Sequence, residues 1–468
     1  MIDPRFKVKL NDYWGVEKDE DATPRSSDGQ LLFLMEMVSK MKATGKGVVG
    51  SRIASVHNGS SLFTGDAGGG ESNIRRYIIE NDMLEAIVQL PNNLFYNTGI
   101  TTYIWLLNNN KPAARQGKVQ LIDASLLFRK LRKNLGNKNC EFAPEHIAQI
   151  TQTYLDCAAV EREIDANGDP LGIASQVFRN EDFGYYKVNI ERPDRRRAQF
   201  SQAALEPLRF DKSLSDVMEH IYQQHGDKVY SAGFLRSIDK QTLQWCEDND
   251  ISLNAKDKSK LLDTDYWLNL KNLYENSCQL MQAIGTKEFK NFNEFKDLVD
   301  SELKTLGVKL SASEKNALLN AVSEYDETAD KVVKKIEKLS GDKLGELLTR
   351  YNCTTEQLPD YGYYPTPKKG EYLTYESSSD LRDSESIPLN QTIHSYFLQE
   401  VKPHVDEAWI NLDPVKIGYE ISFNKYFYRH KPLRNLEDVA ADIIALEKKA
   451  EGLIAQILGV DIALVQGA

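Results

Sequence analysis

The residues that could do chemistry in this chain are sparse, and their spacing excludes more than it assigns. The five cysteines, Cys140, Cys157, Cys246, Cys278 and Cys353, are odd in number, and none lies within three residues of another. Neither a zinc pattern nor a disulfide framework follows from that spacing. The seven histidines are scattered, without HExxH or any paired spacing, so no metal site is expected. Asp123 has no partner constellation for acid–base or nucleophilic work. Three other stretches carry more. The segment Pro91–Ile100 (PNNLFYNTGI) offers Phe95 or Tyr96 as a flat stacking face, and Asn97 or Thr98 for polar contacts. The competing reading makes Leu94 and Phe95 core plugs beneath a tight turn at Asn97–Gly99. Two basic runs follow: Phe128–Lys138 (FRKLRKNLGNK), with Arg129, Lys130, Arg132, Lys133 and Lys138, and the cluster Arg192, Arg195, Arg196 and Arg197. Each is either a solvated face, the usual fate of charge runs, or a set of phosphate contacts.

The elements that must position these residues are legible from periodicity. Gly47–Ala54 is short, apolar and bounded by glycines, as a buried strand would be. Glu71–Asn81 has Ile74, Tyr77 and Ile78 at helical spacing after a glycine run. Leu84–Leu90, Thr101–Leu107 and residues 118–123 read as further strands, and residues 30–43 as an amphipathic helix. A strand–helix–strand run of this kind predicts an α/β sheet with helices on its faces. Met1–Ser27 lacks periodicity and reads as a loop, the basic run at 128–138 as helix or loop, and Pro144–Arg162 as a helix. Asp265–Leu348 reads as one long helical tract, continued through Ser313–Lys338 by Leu318, Val322, Tyr325, Val332, Val333 and Ile336. Pro359–Asp380 is rich in Pro, Gly, Tyr and Ser. Its tyrosines either stack on bases or pin an extended strap. At the C-terminus, Leu436, Val439, Ile443, Leu446, Ala450, Leu453 and Ile457 recur at alternating spacings of three and four, a heptad seam. That stripe must be buried, either on the chain's own helices or on another subunit.

The bulk properties set bounds. A chain of 468 residues should hold several domains, here 1–125, 126–260, 261–358, 359–386 and 387–468. No apolar run approaches the roughly 20 residues needed to cross a bilayer, and MIDPRFKVKL has no apolar signal core. A cytoplasmic location is expected. The net charge of −11 makes the chain a poor general binder of phosphate backbones, so a local basic run or a partner must supply that attraction.

GSRIASVHNGSSLFTG, IRRYIIENDMLEAIVQLPNNLFYNTGITTYIWLLN and GKVQLIDAS together resemble the second half of the catalytic domain of N6-adenine DNA methylases. More narrowly, the chain resembles the modification (M) subunit of type I restriction–modification systems. Asn180–Pro193, Leu381–Leu389 and Tyr396–Tyr428 extend that resemblance. It implies the C-terminal half of a class I, Rossmann-like methyltransferase sheet, followed by a helical domain and a coiled-coil-like C-terminal helix. It implies S-adenosylmethionine as cofactor of the complete enzyme. It implies a specificity (S) subunit, a restriction (R) subunit and double-stranded DNA as partners. On this reading Phe95, Tyr96, Asn97 and Thr98 face the target base. Arg129, Lys130, Arg132, Lys133, Arg195, Arg196 and Arg197 meet DNA phosphates, and Leu436, Val439, Ile443, Leu446, Leu453 and Ile457 contact the S subunit.

Methylation at adenine N6 is demanding because the amine is conjugated into the ring. The base must leave the stack and be held by stacking and edge hydrogen bonds, with the lone pair aimed at the methyl donor. The resembled family uses a Gly-rich turn (F-x-G-x-G) for the cofactor and N-P-P-Y/F for the amine. Neither occurs: no two prolines are adjacent, and Gly68–Gly70 falls between a strand and helix of the second half. The expectation is an M subunit lacking its N-terminal portion, through a split gene or a truncation. Such a chain would be inactive and bind no cofactor alone, and a separate polypeptide would carry the missing half. Its sheet should show one open, apolar edge or face, and closure by later parts of the chain would defeat that idea. The alternative is a non-catalytic assembly protein or remnant that keeps only the S-subunit contacts.

Overall fold

The computed structural model describes residues 3–45, 49–165, 169–428 and 435–458, with side chains of the last helix described to residue 450. The chain divides into two units: residues 1–185, 388–390 and 417–468, and residues 186–387 and 391–416.

In the first unit, Lys7–Asn11 (β1) and Glu17–Asp21 (β2) form a hairpin in the stretch read as a loop. Its inward residues Val8 and Leu10 reach the core, a short alternation that composition masked. Helix α1 (Gln30–Ser39) stops earlier than its apolar pattern suggests. The first strand of the main sheet is β3 (Arg52–Asn58), displaced toward the C-terminus from the expected 47–54, of which residues 47 and 48 lie outside the described residues. A short turn of helix, α2 (Ser60–Phe63), precedes α3 (Gly70–Glu80), which starts where the glycine run ends. Strands β4 (Leu84–Gln89), β5 (Thr102–Asn108) and β6 (Lys118–Asp123) fall where their sequence patterns place them.

The basic run at 128–138 is neither helix nor loop. It forms a hairpin, β7 (Arg129–Leu135) and β8 (Lys138–Glu141). Leu135 pairs with Lys138, which leaves Gly136–Asn137 as a two-residue turn, with Gly136 at φ +63°. A positive φ at the first central position is what a tight hairpin turn demands and what glycine supplies. Helix α4 (Pro144–Asp156) follows, then a two-rung hairpin of β9 (Glu163–Ile164) and β10 (Pro170–Leu171), and β11 (Ala174–Arg179).

The sheet order is β11-β6-β4-β5-β3. β4 and β6 are parallel, β5 runs against both β3 and β4, and β11 runs against β6. One face carries Trp105, Leu107, Val119 and Leu121 onto Leu31, Leu34, Ile74 and Ile78. On the other, Val88 and Ile122 meet Ile150 and Tyr154 of α4. The expected edge is half corrected: β11, a later segment, closes the sheet beside β6, whereas β3 is the outer strand on the other side. Arg52, Ala54 and Val56 of β3 share one exposed face, and Val56 is 51% exposed.

In the second unit the helices Thr264–Ile284, Phe292–Thr305 and Ala312–Ala321 surround Leu280, Phe295 and Leu318. The helical tract is interrupted there and resumes only at Asp342–Tyr351. Ser323–Tyr325 and Val333–Lys338 are strands, contrary to the helical reading. The Asp326 carboxylate accepts from the Thr328 backbone N–H, which fixes a turn. The β-branched Val332, Val333 and Ile336 beyond it suit a pleated strand better than a helix. The tyrosines of the 359–380 strap are pinned: Tyr361 is buried and stacks on Tyr351 with ring centroids 5.1 Å apart.

Candidate nucleic-acid interface

Because β4 and β6 are parallel neighbours, with Gln89 opposite Asp123, the segments leaving their carboxyl ends emerge side by side. The first is the loop Pro91–Ile100. The second leads through Leu127, packed in the core, into the basic hairpin β7–β8. Carboxyl ends of strands in open α/β sheets are where ligands meet such folds. Topology therefore joins two stretches that are separate in sequence.

The contacts between them are specific. Lys138 Nζ donates to Leu94 O at 2.7 Å, Asn139 N to Asn93 O at 3.1 Å, and Cys140 Sγ to Asn92 O at 3.2 Å. Thr101 Oγ1 donates to Asn92 Oδ1 at 2.6 Å. Asn93 and Asn97 hold φ of 57° and 56°, left-handed turns that asparagine tolerates better than most residues. Leu94 packs into the core beneath, as the plug reading has it. Phe95 is 38% exposed and Tyr96 64% exposed. Asn97 is exposed and Thr98 half-buried. Lys138 Nζ lies 5.9 Å from the Tyr96 ring centroid.

The hairpin is a local inversion of the chain's charge. Within residues 129–141 stand five cations and one carboxylate. That carboxylate, Glu141, pairs with Arg129 at 2.9 Å. Lys130, Arg132 and Lys133 are exposed and make no ion pair among the described residues. The surface thus joins an exposed phenol ring, with Lys138 beside it, to a hairpin carrying exposed cations. That combination suits a polyanion with flat, stackable groups.

The second basic cluster is built differently. Arg196–Ala198 is a strand paired with Ser323–Tyr325, which places Arg197 opposite Glu324. Arg195 bonds Glu407 at 2.5 Å, Arg196 bonds Asp194 at 2.6 Å, and Arg197 bonds Glu288 at 3.0 Å as well as Glu324. All three guanidinium groups are neutralised within their own unit. The three form an ion-pair network, for which the nearby Glu324, Asp326 and Glu327 were the available signal.

The glycine run Gly68–Gly70 is not an open cradle. A β-carbon on Gly70 would collide with the Thr23 carbonyl, so this glycine serves close chain packing. Among the described residues the C-terminal seam is not buried. In the helix Leu436–Leu458, Leu436, Ile443 and Leu446 are exposed; Leu453 and Ile457 lie outside the described side chains. No helix among the described residues is long and apolar enough to cross a membrane.

Residues 2–177, which include the whole five-stranded sheet but for the end of β11, match the family described as N-6 DNA Methylase. The resemblance to modification subunits of type I systems read from the sequence is borne out. The chain is 35% identical over 137 residues to the type I restriction enzyme MjaVII methylase subunit of Methanocaldococcus jannaschii, a match covering 27% of this chain and 22% of that protein. It is 31% identical over 158 residues to the HindI methylase subunit of Haemophilus influenzae, covering 33% and 32%. The matched stretch therefore spans a third or less of each of these relatives. Among solved structures, the type I methyltransferase subunit from Streptococcus thermophilus aligns at 22% identity and a TM-score of 0.28, over 39% of this chain and 31% of that one.

Proposed function

We propose that this chain is a component of a type I restriction–modification DNA adenine-N6 methyltransferase, contributing the part of the methylase sheet that follows the amine-binding motif. The observation that carries the reading is the methylase-family match over a sheet whose parallel strands β4 and β6 bring the loop bearing Tyr96 against the basic hairpin β7–β8, with Lys138 beside the ring. Tyr96 then stacks on an extruded adenine, with Phe95, Asn97 and Thr98 around it, and Lys130, Arg132 and Lys133 meet the adjoining phosphates. Arg129, shared with Glu141, contributes less.

S-adenosylmethionine supplies the methyl group in the complete enzyme. The glycine run Gly68–Gly70 is packed against the chain itself and offers that cofactor no cradle. We read the sheet as part of a class I, Rossmann-like sheet whose next strand, from the part of the enzyme carrying F-x-G-x-G and N-P-P-Y/F, pairs with the open side of β3. The exposed Ala54 and Val56 would go under cover at the same time. The S subunit reads the DNA target, an R subunit completes the restriction assembly, and double-stranded DNA is bound through the complex.

Reconstitution tests the reading. This chain, an S subunit and a polypeptide bearing the two motifs are mixed with DNA and labelled S-adenosylmethionine. Methyl incorporation at adenine N6 should require this chain, and Tyr96→Ala should lower kcat with little change in stability. If the other two components methylate DNA equally well without this chain, the catalytic reading falls. The second reading, a non-catalytic assembly protein, draws on the exposed seam of Leu436–Leu458. It would be left standing by S-subunit binding without any effect on methyl transfer.

A further inference from the structure

We propose that Lys138 is the positioning residue of this surface, fixing the loop so that the Tyr96 ring stands beside the hairpin cations, and that the combined surface takes one unstacked nucleotide together with its flanking phosphates. The ligand class rests on the reading above that this loop meets a base; the positioning role rests on the contacts alone.

Three consecutive residues of β8 hold three consecutive loop carbonyls in reverse order. Lys138, Asn139 and Cys140 donate to Leu94, Asn93 and Asn92 respectively. A loop that turns through two left-handed asparagines has no strand partner for its carbonyls, and unpaired backbone groups are costly where water is excluded. β8 answers that need, so the loop's shape depends on the hairpin. Of the three donors, Lys138 is the only one that is both charged and a full side chain, and charge-assisted bonds to a carbonyl are stronger than neutral ones. The same ammonium lies 5.9 Å from the centre of the Tyr96 ring, within the range at which a cation is drawn to an aromatic face. One group therefore ties down the loop backbone and restrains the ring two residues further on. Asn97 closes the arrangement: its Oδ1 stands 3.1 Å from where a β-carbon on Gly136 would sit, so the hairpin tip lies against the loop.

The physical consequence is preorganisation. A ring already held in place loses less freedom when a base stacks on it. The hairpin thus acts twice, drawing the phosphates electrostatically and holding the stacking face steady. The loop alone would do neither.

Two readouts test this on the full chain. Hydrogen–deuterium exchange across residues 92–97 is followed without DNA. A single-stranded oligonucleotide carrying 2-aminopurine is then titrated in, with anisotropy reporting backbone binding and 2-aminopurine fluorescence reporting stacking. In Lys138→Met, exchange in the loop should rise about tenfold, as expected for loss of one charged hydrogen bond. Stacking-dependent quenching should fall to the level of Tyr96→Ala, while Kd weakens less than in Lys130→Ala/Lys133→Ala. Lys138→Arg, which keeps a charged donor, should restore part of the quenching. Unchanged loop exchange in Lys138→Met overturns the positioning role, and so does raised exchange with undiminished quenching. If the wild-type chain leaves the oligonucleotide unbound, the nucleotide assignment and the reading beneath it fail, and exchange still decides whether Lys138 holds the loop.

Discussion

His57 lies on the edge strand β3 with its ring buried and its Nε2 atom without a hydrogen-bond partner. Burial pushes its pKa down to about 4, with the Asp28 carboxylate opposing only weakly. The unfolded chain protonates this ring near pH 6.5, and the folded chain resists until about pH 4. Over that window the unfolded state holds the extra proton, so folding stability falls as pH drops and is recovered above pH 6.5. A shift of this size corresponds to roughly 3 kcal/mol. His57→Phe keeps a ring against Trp105 and should remove this part of the pH dependence, flattening urea midpoints between pH 6.5 and 4. An equal slope in wild type and variant would mean that other groups carry the acid sensitivity. At this scale the sequence told little, because a histidine's role depends on burial that spacing does not reveal. Lys138 was visible as one charge among five, but its bond to Leu94 O depends on a neighbour 44 positions away. Leu94, by contrast, was legible as a plug because apolar residues beneath a turn have nowhere else to go.

Among elements, the two basic runs diverge although their compositions are alike. Among the described residues, the hairpin β7–β8 has one ion pair, Arg129 with Glu141. The strand Arg196–Ala198 lies against acidic partners in its own unit. Each phosphate contact released should lower the salt dependence of DNA binding by about one. Substituting Lys130, Arg132 or Lys133 with Ala should therefore weaken binding uniformly across sequences and reduce the slope of log Kd against log salt by about one each. Arg197→Ala should leave that slope unchanged and cost stability instead, about 1 kcal/mol or less for a part-exposed pair. Equal salt slopes for the two sets would remove the distinction. Sequence reasoning located both runs but not their structures. The Gly136–Asn137 pair inside FRKLRKNLGNK was the overlooked signal, since Gly-Asn between two strand-length runs marks a tight hairpin. The Ser313–Lys338 tract was misjudged for a related reason. Apolar residues three and four apart fit a helix, and Ser323–Tyr325 became a strand only because Arg196–Ala198 lies alongside it.

At the scale of the whole molecule, the chain does not fold in consecutive blocks. The first unit is completed by residues 417–427, whose Tyr419, Ile421 and Phe423 enter the core built by the first 120 residues. Arg75, wholly buried on α3, donates to Tyr419 O at 2.6 Å, and Tyr419 N donates to Ser72 Oγ at 3.0 Å. Pairings across more than 340 positions leave no local pattern, so consecutive domains were the natural sequence reading. The element that periodicity located best is left exposed over its described residues. Leu436–Leu458 is a helix as the seam predicts, yet Ile443 and Leu446 are 59% and 66% exposed. In proteins most helical stability comes from packing an amphipathic face, and an apolar stripe left exposed is best accounted for by a partner. The first turn carries Glu437 and Asp438, favourable at a helix N-terminus but not enough to hold the helix alone. We expect a helix of the S subunit to cover the seam. Ile443→Asp with Leu446→Asp should then abolish co-purification with the S subunit. Because both side chains are exposed in the free chain, its unfolding free energy should change by no more than about 0.5 kcal/mol. Retained co-purification would show that the S subunit docks elsewhere. Loss of folding in the double variant, with no S subunit bound by the wild type, would place the seam inside the chain and remove the physical basis for the assembly.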